Sequence, residues 1–245
     1  MRDSRRFWIP DRTNILKPAL IAFHLGQSQI MELCFSDLQA CTVRPDTPLV
    51  IVDVDEVLAR FMHGFGTFIG RHGFELRFDR YALFQNIYRP GETEHLDLIA
   101  GRVLFNDFFR DGADDLPPAE GAADALADLS TRADVVILTN APEHGRQSRA
   151  RWLKTHGFDY PLVINTGPKG PSAAHLAERT ASPAVFVDDL LPQLDSVAES
   201  APWVNRFQMV ADERLRPLAP GAPERHTRID QWPDLKTAIE RKLFP

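Results

Sequence analysis

The chain is short of the features that would place it outside the cell, in a membrane or on a nucleic acid. It has two cysteines, Cys34 and Cys41. Their spacing suits neither a metal knuckle nor a disulfide framework, so both are expected as reduced thiols. Long apolar runs are missing too. The most hydrophobic early stretch, 15–25, is interrupted by Lys17, Pro18 and His24 and is too short and broken to span a bilayer. Arg5 and Arg6 are not followed by the apolar region and small-residue cleavage site of a secretory signal. An excess of positive charge is also lacking: 28 Lys and Arg stand against 34 Asp and Glu, for a net charge of -6. Nothing in that balance collects a nucleic acid polymer or an anionic membrane, so neither is expected as a partner. What is left is a cytoplasmic protein that works on a small molecule.

What is present is an ordinary globular composition, 44% hydrophobic and 25% charged over 245 residues. That suits one large domain, or one domain carrying a smaller insertion. The most informative stretch is Leu49-Val50-Ile51-Val52 followed by Asp53 and Asp55. An apolar run of this kind reads as a buried strand that delivers two carboxylates to its C-terminal edge. With a side-chain period of two, Asp53 and Asp55 are expected on one side, close enough to repel and to call for a cation.

Residues 1–47 have weak periodicity and prolines at 10, 18 and 45, with another at 48 just beyond, and read as a loosely packed N-terminal extension, with a helix near 30–38. Beyond the acidic strand, Phe61, Phe65, Phe68 and Ile69 recur at helical spacing up to Gly73, a suitable C′ residue. Tyr81, Phe84 and Tyr88 suggest a second short helix, and Leu96, Ile99, Ala100 and Val103 a third. Residues 58–115 are therefore expected as a helical cap inserted into a core made of 48–57 and 116–245. From 119 onward, helical and apolar stretches alternate. Helices are expected at 119–131, 142–156, 172–180, 191–200 and 233–243, and strands at 135–138, 162–164, 184–187 and 204–209. The fold class is α/β: a Rossmann-like, doubly wound, mostly parallel sheet with a small helical cap.

Ligands in such folds bind at the carboxyl ends of the strands. The residues there are Asp53 and Asp55, then Thr139-Asn140, then Lys169, then Asp188-Asp189. Taken singly, Thr139 and Asn140 would pass for a helix cap and Lys169 for a loop lysine. Four successive strands, each ending in a residue suited to phosphoryl chemistry, make a specific pattern.

In order and spacing these motifs resemble those of the haloacid dehalogenase-like (HAD) hydrolase superfamily. Asp53-Val54-Asp55-Glu56-Val57 resembles its first motif, Leu138-Thr139-Asn140 its second, Lys169 its third and Val187-Asp188-Asp189 its fourth. The resemblance implies a Mg²⁺-dependent phosphohydrolase acting on a small phosphate ester. Asp53 would be nucleophile and metal ligand. Asp55 would give the metal its backbone carbonyl and use its side chain as acid and base. Thr139, Asn140 and Lys169 would hold the phosphate, and Asp188 and Asp189 would complete the metal shell. Asp55 further favours phosphoryl transfer, because the superfamily's dehalogenases lack that second acid. A phosphotransferase or phosphomutase, or a non-catalytic phosphate-binding protein, has the same motifs.

Glu56 departs from the pattern, standing where glycine is common. Either it is a flap residue in a turn whose φ stays negative, or it tunes the mouth of the site. Asp195 is a candidate to hold Lys169, or else an exposed helix acid. In the cap, Arg60, His63, Arg71, Arg77, Arg80 and Arg89 are candidates for a second anionic group of the substrate, and otherwise exposed helix charges. The passage Val57-Leu58-Ala59-Arg60-Phe61 is similar to 5′-nucleotidase members, which points to a nucleotide among small organic phosphates.

Overall fold

The computed structural model describes residues 27–245. Expectations for residues 1–26 lie outside the described residues. Helix α1 (Gln27–Ala40) is followed by strand β1 (Leu49–Val52), apolar and buried at every position. The segment between β1 and the next core helix holds α2 (Phe61–Arg71), β2 (Glu75–Leu76), β3 (Ile87–Tyr88) and α3 (Leu98–Asp111). The core then resumes with α4 (Ala122–Ser130), β4 (Asp134–Thr139), α5 (Arg146–Thr155), β5 (Leu162–Ile164), α6 (Gly170–Ala177), β6 (Ala184–Asp188) and α7 (Leu191–Ser200). It closes with β7 (Asn205–Gln208), β8 (Thr227–Arg228) and α8 (Trp232–Leu243).

Six strands form one parallel sheet in the order β5-β4-β1-β6-β7-β8. Strand β1 is central, with Val52 level with Ile137 of β4 and with Val187 of β6. Alternation along β1 divides the core in two. Val50 and Val52 pack with Leu126 of α4, Trp152 of α5 and Trp232 of α8, while Leu49 and Ile51 pack with Leu38 of α1, Leu176 of α6 and Leu194 of α7. Sequence and packing thus give a three-layer, Rossmann-like α/β fold. The chain turns to opposite faces after β1 and after β6, so these neighbours make the topological switch point where such sheets bind ligands.

The end of α1 is tied to the sheet. Arg146 forms a bidentate pair with Asp37 at 2.9 Å for each bond, and Asp37 also accepts from the Ile164 amide. Arg179 caps the helix by donating to the carbonyls of Leu38 and Cys41.

The 58–115 segment has its own aromatic core, in which Phe61 packs against Phe65 (5.5 Å between ring centroids) and edge-on against Phe108 (5.4 Å). Its two connections to the core pair with each other, Arg60 N donating to the Pro117 carbonyl and Ala119 N to that of Leu58. Two buried tryptophans pin them from below: the indole of Trp152 donates to Leu116 O and that of Trp232 to Val57 O. The segment is not purely helical. Where Tyr81, Phe84 and Tyr88 have helical spacing, a single 3₁₀ turn (Phe84–Asn86) leads into β3, which pairs antiparallel with β2. The buried Asn86 amide decides this: it donates to the carbonyls of Arg80 and Ala82 and so replaces the helical bonds those groups would make.

Candidate active site

At the end of β1 the strand conformation stops at Val52, and the amides of Val57, Leu58 and Ala59 all converge on the Val54 carbonyl. This turn separates the two acids. Asp53 points to the switch point, where its carboxylate lies with those of Asp188 and Asp189, ligand atoms all within 4.8 Å of one another. Asp55 does not join that group. Its carboxylate accepts two bonds from Nη2 of Arg149, at 2.7 and 2.9 Å. Strand alternation does not place the two acids, because the strand ends before either residue; both nevertheless line one cavity, close enough for the Asp53 charge to add to burial in raising the Asp55 carboxyl, and each has its own cation.

Lys169 is that cation for Asp53. Its Nζ lies 2.7 Å from both Asp53 Oδ1 and Asp188 Oδ2. No other donor reaches that buried Asp53 oxygen. Against the effect of its own burial, the charges of Asp188 and Asp53 raise the Lys169 pKa and keep it protonated. Its backbone is fixed as well: Lys169 N donates to Gln193 Oε1, and Gly170 N to Ser196 Oγ. Gly170 permits this approach of α6 to α7, since a Cβ there would sit 2.2 Å from the Ser196 carbonyl oxygen.

Asp195 takes no part in holding Lys169. It pairs with His226 at 2.8 Å and with Arg225 at 2.9 Å. The acid expected to hold the lysine is thus replaced by Asp53 and Asp188, which reach it across the sheet.

Asp188 is fully buried and also accepts from Leu190 N. Burial pushes its carboxyl up to about 6, although Lys169 opposes the shift. Asp189 is held well above the usual carboxylate range by burial and then by the charges of Asp188 and Asp53. Tyr81, from the 58–115 segment, donates its hydroxyl to Asp189 Oδ2 at 2.5 Å. Asp55 is also raised, mainly by burial, with Arg149 pulling the other way.

Three buried carboxyl groups around one ammonium form an all-oxygen set which, with all three ionised, carries an excess of two negative charges; with an Asp53 oxygen that Lys169 alone contacts, the set fits a hard divalent cation such as Mg²⁺.

Glu56 takes neither of its expected forms in full. Its φ is +58°, in the left-handed region, and its side chain is buried. One carboxylate oxygen accepts from Met62 N at 2.8 Å and the other from Asp212 N at 2.9 Å, and its carbonyl accepts from Ala211 N. The residue is a clamp between the start of α2 and the loop after β7. Its hydrogen bonds offset the roughly 1–2 kcal/mol that a left-handed conformation costs a non-glycine residue.

These groups line one cavity of about 240 Å³. Asp53, Asp55, Thr139, Asn140, Lys169 and Asp189 form its polar floor, while Phe61, Met62, Leu83, Phe105, Leu190 and Leu215 supply apolar walls. Thr139 is buried at the end of β4. Asn140 is braced between loops, donating to Gly167 O and accepting from Asn165. Of the cap cations expected to meet a second anion, none lines the cavity: Arg71 pairs with Asp115, Arg77 with Glu75, and Arg60 faces Glu213 at 3.9 Å. No sequence motif marks Arg149 or Gln193, and Tyr81 shows in the sequence only the helical spacing it shares with Phe84 and Tyr88.

No family model matches the chain, and no curated protein matches it by sequence. Its fold is nevertheless that of the HAD-like hydrolases. A protein described as a HAD-hydrolase from Bacillus subtilis, solved with magnesium bound, superposes with a TM-score of 0.55 at 14% identity, covering 79% of this chain and 99% of its own. A haloacid dehalogenase-like family hydrolase from Streptococcus pneumoniae aligns at a TM-score of 0.50 and 14% identity, over 79% and 98% of the two chains. A structure assigned as a β-phosphoglucomutase from Thermotoga maritima gives 0.50 and 14%, over 79% and 99%.

Proposed function

We propose that the chain is a Mg²⁺-dependent phosphohydrolase that cleaves a small phosphorylated metabolite through an aspartyl-phosphate on Asp53, with 58–115 as its cap. The observation that carries this reading is the grouping of Asp53, Asp188 and Asp189 around Lys169 at the switch point. The magnesium in the Bacillus neighbour supports the choice of metal. Bound there by Asp53, Asp188 and Asp189, Mg²⁺ would neutralise charge on the phosphoryl oxygens during attack.

The chain's own groups divide the remaining work. Asp53 is the nucleophile, and Lys169 holds its carboxylate in place while offering positive charge to the phosphoryl group. Thr139 supplies a hydroxyl from the cavity floor, and Asn140 shapes the loop beside it. Asp55, raised by burial and steadied by Arg149, gives a proton to the departing alcohol oxygen and later takes one from the water that opens the aspartyl-phosphate.

Phosphate release from phenyl phosphate, with and without Mg²⁺, tests the proposal. Activity should require the metal and fall by at least about a thousandfold in Asp53→Asn, since the nucleophile is removed. Wild-type turnover in that variant would overturn the mechanism.

A further inference from the structure

The cavity's charge and surface select the part of the substrate that departs, an inference that rests on the phosphohydrolase reading above. Among the described residues Lys169 is the one cationic side chain that lines the cavity, and both Asp53 and Asp188 hold it at 2.7 Å. Four acids line the same space: Asp53, Asp55, Glu56 and Asp189. No arginine lines it: Arg149 is bound to Asp55, Arg214 to Asp212, and Arg60 faces Glu213 outside the cavity.

Beyond the polar floor the walls are Phe61, Met62, Leu83, Phe105, Leu190 and Leu215. Leu190 is 42% exposed, an apolar side chain left at the mouth. A second carboxylate or phosphate on the substrate would be pressed against these walls with no cation to pair with, and burial of an unpaired charge is strongly unfavourable. An apolar group would lose nothing there and would gain from leaving water. The volume of about 240 Å³ lies below the roughly 300–1,000 Å³ of sites for drug-sized ligands, which favours a compact group.

We propose that the site selects phosphate monoesters whose leaving alcohol is compact, uncharged and largely apolar, and excludes esters that carry a second anionic group. In the step itself the phosphorus–oxygen bond to the alcohol breaks as the bond to Asp53 forms. The electron pair leaves on the alcohol oxygen, which takes its proton from Asp55. Water then replaces Asp53 on phosphorus, giving one alcohol and one inorganic phosphate.

Matched probes test this: phenyl phosphate against para-carboxyphenyl phosphate for turnover, and the corresponding non-hydrolysable benzylphosphonates for binding by calorimetry, all with Mg²⁺. Benzylphosphonate should bind at least about a hundredfold more tightly than its carboxylated partner, and kcat/KM for the esters should follow the same order. In Leu83→Lys the gap should narrow by about tenfold or more, as the wall gains a cation. Equal affinity, tighter binding of the carboxylated probe, or binding of neither phosphonate would overturn the selection. Binding of benzylphosphonate without release of phosphate from phenyl phosphate would overturn the hydrolase reading alone and leave the selection standing.

Discussion

Arg149 donates one nitrogen to both carboxylate oxygens of Asp55 from a position with no solvent exposure. The guanidinium also lies over the ring of Phe109, 5.1 Å from its centroid. It fastens the turn after β1 to helix α5 and to the aromatic core of the 58–115 segment at once. Asp55 itself keeps 27% of its side chain exposed, toward the cavity.

Removing the guanidinium leaves a mostly buried carboxylate without its cation. Arg149→Ala should therefore destabilise the protein by about 3–5 kcal/mol. Arg149→Lys should recover part of the stability, although a single ammonium cannot reproduce the planar contact with Phe109. Urea denaturation of the two variants reads the difference, and equal midpoints to wild type would refute the pairing.

Tyr81 binds a carboxylate of the proposed metal cluster from a different part of the chain. Loss of such a partner commonly weakens metal affinity by about 10–100-fold. Tyr81→Phe should show this in the Mg²⁺ dependence of activity, with a stability change of only about 1 kcal/mol without metal. In the wild type, saturating Mg²⁺ should raise the melting temperature, because a ligand held by the folded state alone stabilises it. Asp189→Asn should lose most of that rise.

Glu56 provides a pH test. Burial outweighs its two backbone donors and pushes its carboxyl up to about 7 from an ordinary 4.5. The folded protein then holds this proton more tightly than the unfolded chain does. The group favours folding at acid pH, and its contribution is lost as pH rises through about 7. Roughly 3 kcal/mol should disappear from this group between pH 4.5 and 7 in metal-free protein. Asp55, Asp188 and Asp189 shift in the same direction, so the difference between wild type and Glu56→Gln isolates the residue. Parallel stability profiles for the two proteins would contradict the assignment.

Gly170 offers a purely steric test. An added methyl group would meet the Ser196 carbonyl at 2.2 Å, and that atom belongs to the backbone of α7 and cannot swing aside. Gly170→Ala should cost about 1–3 kcal/mol, as overpacking does elsewhere. It should also lower activity, because Lys169 is the preceding residue. Thermal melting and phosphate release, measured together, check both parts.

The apolar strands, the alternation of strand and helix and the polar residues at the strand ends were all legible in the sequence. Burial on both faces of a parallel sheet writes near-continuous hydrophobic runs such as 49–52 and 184–187, and the ends of those runs are the ends of the strands. Asp53, Thr139, Lys169, Asp188 and Asp189 could be named for that reason, and they line or border one cavity at the switch point. What tertiary structure alone decided is the pairing between them. Which carboxylate Lys169 meets, that Asp55 turns to Arg149, that Asp195 serves His226, and that Tyr81 reaches Asp189 all depend on distances across the sheet and between the 58–115 segment and the core, where residues up to 116 positions apart come into contact. A one-dimensional pattern records which side chains an element presents, but not which partner a turn of a few residues will swing them toward. The left-handed turn at Glu56 and the short ribbon at 75–88 follow the same logic, since in both a side chain took over backbone hydrogen bonds that local propensity would have assigned elsewhere.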